Sequence, residues 1–490
     1  MRAITCILIF CTLVLIGSVV LVVVIEQDKA TVDDDDDNRH ESPMTAMFKT
    51  CNLLVQECTG RDHGLVSASF AGNQIGPGRS SRAEAIIHIA MLEAAIACGA
   101  PYQTLLPPEF RIDETACSEA ETEMAIAHAT HKATRALFPQ QKDAIDEWFS
   151  NEVVGKHRQS PQAFLIGDTV ASHVLKWRKN DNSEHAEPHI GVGGFTVKSG
   201  PGMWGSDPVT GSTLAMGGLW PHVKPFALES ASQFECPPPP KLSSERWARA
   251  YNYIRTIGGD GETTKTLRTD EETLVAVLWA YDGVPFLCAP PKLYNQIAMH
   301  VLHELLHIDG LELLWHLTRI NVGLADAGIS AWHSKYKYNF WRPDMAMRAA
   351  DTDGNDDTAP DKTFTPLGAP ASNVAKGRNF TPRFPAYPSG HAVFGATLFR
   401  YLELVVGEIA ADQFEWSFVS DEFNGTTKGV DGLMRPRHAR HYTGFKFAKR
   451  ENGRSREYLG IHFEPDITEG IAMGDAITNH LFEKIYTKKI

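Results

Sequence analysis

The stretch Arg82-Ala-Glu-Ala-Ile-Ile-His-Ile-Ala-Met-Leu-Glu-Ala-Ala-Ile-Ala97 carries the reading of the fold. It is rich in Ala, Ile, Leu and Glu, and its apolar residues recur near every 3.6 positions, which predicts a helix. Glu119 to Leu137 and Gln162 to Leu175 read the same way, so residues from about 80 to 180 are expected to be helical. Working outward, residues 182 to 241 change character. Gly191-Val-Gly-Gly, Ser199-Gly-Pro-Gly and Pro237 to Pro240 leave no long periodic run, which predicts an irregular crossing segment. Helical patterns return at 244–256, 270–282, 291–320, 322–341, 392–412 and 465–486. The expected fold class is all-α: two helical bundles, 49–241 and 242–490, with the irregular segment between them.

Residues Ala3 to Ile25 form 23 positions without a charged side chain. At 1.5 Å per residue they span roughly 34 Å, enough for a bilayer. Arg2 precedes the run, and Glu26, Asp28 and Asp33 to Asp37 follow it. This asymmetry predicts a signal anchor over 1–25 and an acidic linker over 26–48, with the catalytic domain extracellular or lumenal. A cleaved signal peptide, and hence secretion, is the alternative. Six cysteines follow the run. In an exported chain an even number predicts disulfides, of which Cys51–Cys58, Cys98–Cys117 and Cys236–Cys288 are the simplest by closeness or order. Asn379-Phe-Thr and Asn424-Gly-Thr are glycosylation sequons.

The net charge of −13 argues against nucleic acid as the partner, so any anion site must be built by placing a few cations. Three segments supply them. Lys335 and Arg342 lie seven positions apart, and seven helical steps bring two side chains back to nearly one direction. Pro343 ends that helix. Pro388-Ser389-Gly390-His391 stands just before a helical run, where a hydroxyl and free amides make an anion cradle with an imidazole beside it. In Ser455-Arg456-Glu-Tyr-Leu-Gly460-Ile-His462, six helical steps would set Arg456 and His462 about 120° apart, so a break near Gly460 is needed to aim both at one place. Taken singly, each segment has an ordinary explanation: a solvated face, a helix cap, a surface Arg with a buried His. Together they describe a cage for a tetrahedral oxyanion, phosphate or vanadate.

The ordered set Lys-x6-Arg-Pro, Pro-Ser-Gly-His and Ser-Arg-x5-His resembles the vanadium-dependent haloperoxidases, which share a superfamily with acid phosphatases and type-2 phosphatidic acid phosphatases. Further likeness to the fungal chloroperoxidase branch runs over residues 270 to 475, including Trp279-Ala-Tyr-Asp282-Gly and Phe384-Pro-Ala-Tyr-Pro-Ser-Gly-His-Ala. The resemblance implies vanadate as cofactor, and hydrogen peroxide and halide as substrates, with room for an organic acceptor. It implies that Lys335, Arg342, Ser389, Gly390 and Arg456 bind the vanadate oxygens. His462 would ligate vanadium, and His391 would be the acid/base. Lys335 would polarise peroxide, and Asp282 would pair with Arg342. Trp332 and Phe384 would wall the halide side, and an aromatic at 384 leans towards chloride.

Two rivals remain at this level. The same cage around phosphate would make His462 a nucleophile and the protein a phosphatase. His303-Glu304-Leu-Leu-His307 matches the H-E-x-x-H pattern of zinc peptidases, but the next ligand position of the longer signature is Leu313 and the surroundings are leucine-rich. The halide, the acceptor and the oligomeric state are not legible.

Overall fold

Residues 41–65 and 74–489 are described by a computed structural model. The expected anchor, and the acidic linker up to residue 40, lie outside the described residues. Among the described residues no helix is long and apolar enough to cross a membrane. The first part of the chain contributes α1 (Pro43–Asp62), α2 (Gly76–Ala97), α3 (Glu119–Leu137), α4 (Lys142–Trp148) and α5 (Pro161–Arg178). After the crossing segment come α6 (Glu245–Ile257), α7 (Asp270–Leu278), α8 (Pro290–Met299), α9 (Gly310–Tyr338) and α10 (Pro343–Ala349). They are followed by α11 (Gly390–Val406), α12 (Glu408–Ala411), α13 (Phe445–Tyr458) and α14 (Glu464–Leu481).

The opening stretch forms α2, and nearly every residue of that helix is buried. Small alanines let α3, α5 and α9 crowd around it, so it serves as the axis of the first group of helices rather than as an amphipathic surface helix. The 29-residue α9 also packs against α11 and α14, which places it in contact with both groups. The segment 182–241 is irregular apart from one short turn at Trp220–His222. It is pinned to α9 by polar bonds: the buried Asp326 carboxylate accepts the amides of Phe226, Ala227 and Leu228 at 2.6, 2.8 and 2.9 Å.

Several boundaries differ from expectation. Helix α1 begins inside the stretch read as linker, because Ser42 caps it from Thr45 N at 3.2 Å and Pro43 starts it. The break between the paired runs falls at 306–309, not at residue 321. A wide helical turn over His300–Leu305 unwinds at His307 (φ +57), and Gly310 (φ +53) starts the next helix. A two-stranded antiparallel sheet was not anticipated: β1 (Glu415–Val419) pairs with β2 (Ala439–Thr443), with Trp416 stacked on Tyr442 at 4.5 Å.

All six described cysteines are free thiols, which corrects the expected disulfides. Cys51 and Cys58 are seven positions apart on α1, roughly 10 Å by helical rise, beyond the roughly 7 Å that a disulfide spans. The Cys236 thiol reaches Glu469 O, whereas that of Cys288 lies beside Thr59 and Ser80. Cys98 and Cys117 are neighbours without being bonded.

Candidate active site

Lys335 and Arg342 do converge, but not along one helix. Asn339 takes a left-handed conformation (φ +52) and ends α9, so Arg342 stands at the cap of α10 and the chain folds back to bring both cations inward. Both are fully buried. The Lys335 ammonium donates to the carbonyls of Pro385, Ala386 and Pro388 at 2.9, 2.9 and 2.5 Å, so its three hydrogens brace the loop before Ser389. Burial, followed by repulsion from Arg342, holds its pKa well below that of an ordinary lysine.

Arg342 donates through Nε to Phe384 O and through Nη1 to Ile461 O and to the imidazole of His462 at 2.9 Å. Its Nη2 has no partner. Ser389 caps α11, accepting from Ala392 N at 3.4 Å and leaving its hydroxyl hydrogen to donate. The amides of Gly390 and His391, in the first helical turn, have no acceptor among the described residues.

Helix α13 ends at Tyr458, and Gly460 at φ +69 turns the chain. That turn carries His462 out of the helical register of Arg456. His462 Nδ1 bonds Asp466 Oδ2 at 2.9 Å, which fixes the tautomer with the proton on Nδ1 and the lone pair on Nε2. His391 has the opposite arrangement: its Nε2–H donates to Ala280 O at 2.5 Å, leaving Nδ1 as the base nitrogen. Burial, with Arg456 next for His391 and Arg342 next for His462, pushes both imidazoles well below their usual pKa, so both are neutral.

Asp282 does not pair with Arg342. It binds Arg456, Oδ1 to Nη2 at 2.6 Å, because the 280–283 turn meets α13 rather than the α9–α10 corner. Arg456 still has Nε and Nη1 buried without partners. The cavity they border is about 130 Å³, lined among others by Asp282, Trp332, Phe384, His391, Arg456 and His462. Trp332 and Phe384 meet at 4.9 Å between ring centroids.

Sequence reasoning missed Asp466 and Ala280. Asp466 had a signal, the acid four positions after a histidine and three after the helix's cap residue Phe463. A carbonyl such as that of Ala280 has none. The H-E-x-x-H motif is structural, which corrects the zinc alternative. Glu304 pairs with His300 at 2.6 Å, His303 bonds Ile308 O, and no group of three metal-ligating side chains occurs among the described residues.

Asp344, next to Arg342, has its carboxyl pushed up to about 6 by burial and by Asp207. Its folded pKa exceeds the unfolded value of about 3.9, so its contribution to stability is complete below pH 4 and is lost as pH rises through 6. Against Asp344→Asn, the wild-type chain should lose on the order of 3 kcal/mol between pH 4 and 7 in urea unfolding. A pH-independent difference between the two would contradict this.

The donor set suits an oxyanion. Three guanidinium nitrogens, two amides and a hydroxyl lack acceptors, and each buried orphan donor costs about 1–3 kcal/mol. A tetrahedral anion is the kind of partner such donors take, as at helix N-termini and arginines.

Residues 316–488 match the family model described as the VCPO second helical-bundle domain. This part of the chain is similar to that domain family, and the resemblance to the vanadium-dependent haloperoxidases read from the three motifs holds. Among individual relatives, the chain is 30% identical over 280 residues to the vanadium chloroperoxidase of Curvularia inaequalis, covering 50% of this chain and 44% of that one. The chain thus matches less than half the length of that curated relative. Its fold is shared with a bacterial vanadium-dependent iodoperoxidase (TM-score 0.68, 22% identity, 92% of this chain and all of that one). It is shared also with a holo-type bacterial vanadium-dependent chloroperoxidase (TM-score 0.59, 17% identity, 88% and 96%).

Proposed function

We propose that this chain is a vanadate-dependent haloperoxidase that oxidises halide with hydrogen peroxide to hypohalous acid. The observation that carries the reading is the set of buried, unpartnered donors on Arg342 and Arg456 beside a histidine whose Nε2 lone pair is fixed. His462 would hold the metal through Nε2, giving up the hydrogen bond that Nε2 accepts here from Arg342 Nη1. Arg342, Arg456, Ser389 and Gly390 would hold the oxygens, and Lys335 would add charge from behind the Phe384–Pro388 loop. Bound vanadate would supply a Lewis-acid centre that activates hydrogen peroxide without a change of oxidation state.

The rest is done by the chain itself. Asp282 orients Arg456, and Asp466 keeps His462 in the ligating tautomer. His391, neutral and anchored on Ala280 O, accepts a proton at Nδ1 and returns it. Trp332 and Phe384 exclude water from the halide side, and the ammonium of Lys335 and the guanidinium of Arg342 each lie 5.0 Å from the Phe384 ring centroid.

The test is reconstitution with orthovanadate, followed by peroxide-dependent halogenation of a diketone dye with chloride, bromide and iodide. Cleavage of a phosphomonoester with no vanadate-dependent halogenation would favour the phosphatase reading. That reading draws on the same cage, with His462 oriented by Asp466 as nucleophile. Phe384→His should lower the chloride-to-bromide rate ratio by about tenfold, since a polar ring admits water beside the halide and about 1.4 kcal/mol is one factor of ten. An unchanged ratio would remove Phe384 from the halide site.

A further inference from the structure

Ile75 and Met216 line both the active-site cavity and a crevice of about 1210 Å³ beside it, so they form the neck between the two spaces. Met216 is half-buried. Among the described residues its thioether is the only sulfur in the cavity lining. The residue is held firmly in place. Met216 O accepts from Trp332 Nε1 at 3.2 Å and from Tyr336 Oη at 2.8 Å, and its amide donates to Arg383 O at 2.9 Å. On its other side the sulfur is seated against Gly76, where an added Cβ would meet Sδ at 2.9 Å. Gly76 is fixed in turn, since its amide donates to His63 Nε2 at 3.0 Å.

A second methionine gives the comparison. Met434 is 65% exposed, the most open methionine among the described residues, and it lines neither the cavity nor the crevice. An oxidant arriving from bulk solvent reaches Met434 first, because susceptibility follows exposure. An oxidant made in the cavity and leaving by the neck reaches Met216 first, before it is diluted.

We propose that Met216 is a modification site, oxidised to the sulfoxide by hypohalous acid that the enzyme itself makes, and that this oxidation limits turnover. The inference rests on the haloperoxidase reading and adds a self-limiting step at the same site. Halide, peroxide and one proton give hypohalous acid and water. The sulfur then displaces hydroxide from the halogen, and water displaces halide from the sulfur. The net products are sulfoxide, halide and one proton, and the sulfur loses the two electrons that the halogen gains. The thioether is a soft nucleophile with no proton to lose. Its sulfoxide is polar. It places an oxygen in a neck whose other wall is Ile75, so the modified enzyme turns over more slowly.

Peptide mass mapping of the full chain, reconstituted with orthovanadate and run with bromide and peroxide, tests the site. Sulfoxide at Met216 should exceed that at Met434 at least about fivefold, against the order of exposure. Vanadate-free protein given reagent hypobromite should show Met434 oxidised first. Met216→Leu keeps a similar volume without the reactive sulfur. It should complete at least about twofold more turnovers before falling to half of its own initial rate. Halogenation with Met434 oxidised first, or Met216 oxidised first by reagent hypobromite as well, would overturn the assignment and leave the haloperoxidase reading standing. An unchanged number of turnovers in Met216→Leu would overturn the self-limitation. No vanadate-dependent halogenation would overturn the haloperoxidase reading and this inference with it.

Discussion

His462→Ala should abolish vanadate-dependent halogenation, with a loss of about a hundred- to a thousandfold or more, the scale on which a single positioned group at a reacting centre acts. The reason lies in how many contacts fix this imidazole. Nδ1 is committed to Asp466, Nε2 is aimed at the Arg342 guanidinium, and the side chain is buried. Among the described residues His391, the other histidine lining the cavity, cannot substitute, because it is turned the other way by Ala280. Asp466→Asn separates ligation from orientation. An amide can still accept from Nδ1–H, but it is a weaker acceptor than the carboxyl group it replaces and holds the imidazole less firmly, so vanadate affinity should fall about 10–100-fold while the fold persists. Vanadium NMR of the protein titrated with orthovanadate reads both effects. Retention of protein-bound vanadium in His462→Ala would show that the metal is held elsewhere.

The pocket was legible in sequence where chemistry is carried by consecutive residues. Pro388-Ser389-Gly390-His391 announces a helix start with free amides, and Gly460 announces the turn that His462 needs. It was not legible where two distant segments meet. The pairing of Asp282 with Arg456 instead of Arg342 depends on which helix the 280–283 turn touches, and no spacing encodes that. The convergence of Lys335 and Arg342 was expected for the wrong reason. A helical period of seven predicts it, but the left-handed Asn339 produces it, and the result puts Lys335 behind a loop with its hydrogens on three carbonyls.

The fold divides in the same way. Long Ala- and Leu-rich runs gave helices at the expected places. The ends of those helices, the short β1–β2 sheet and α1 depended on local φ angles and on tertiary cover that periodicity does not record. The cysteines show a compositional inference overridden by geometry, since Cys51 and Cys58 share one helix.

Gly460→Ala should cost about 3–5 kcal/mol of stability and should disable the pocket with it. Two effects add. At φ +69 a Cβ crowds its own backbone, which costs about 1–2 kcal/mol. In addition, the new methyl would lie 2.2 Å from Gly258 O and 2.9 Å from Gly258 Cα. Both are backbone atoms, and Leu367 N donates to that same Gly258 carbonyl, so the neighbour has no rotamer by which to yield. Gly191→Ala is the matched control. It has φ +82 with nothing within 4 Å of the added carbon, so it reports the dihedral cost alone.

The difference between the two variants in chemical unfolding therefore measures how tightly the 258 and 460 turns touch. That contact matters to the site. Ile461 O and His462 Nε2 both take Arg342 Nη1, and both follow Gly460 directly. If the turn shifts, the guanidinium loses two acceptors at once, and vanadate affinity should fall in step with stability. If Gly460→Ala unfolds no more easily than Gly191→Ala, the two turns are not in firm contact, and the alignment of Arg342 with His462 must be maintained by Asp466 alone.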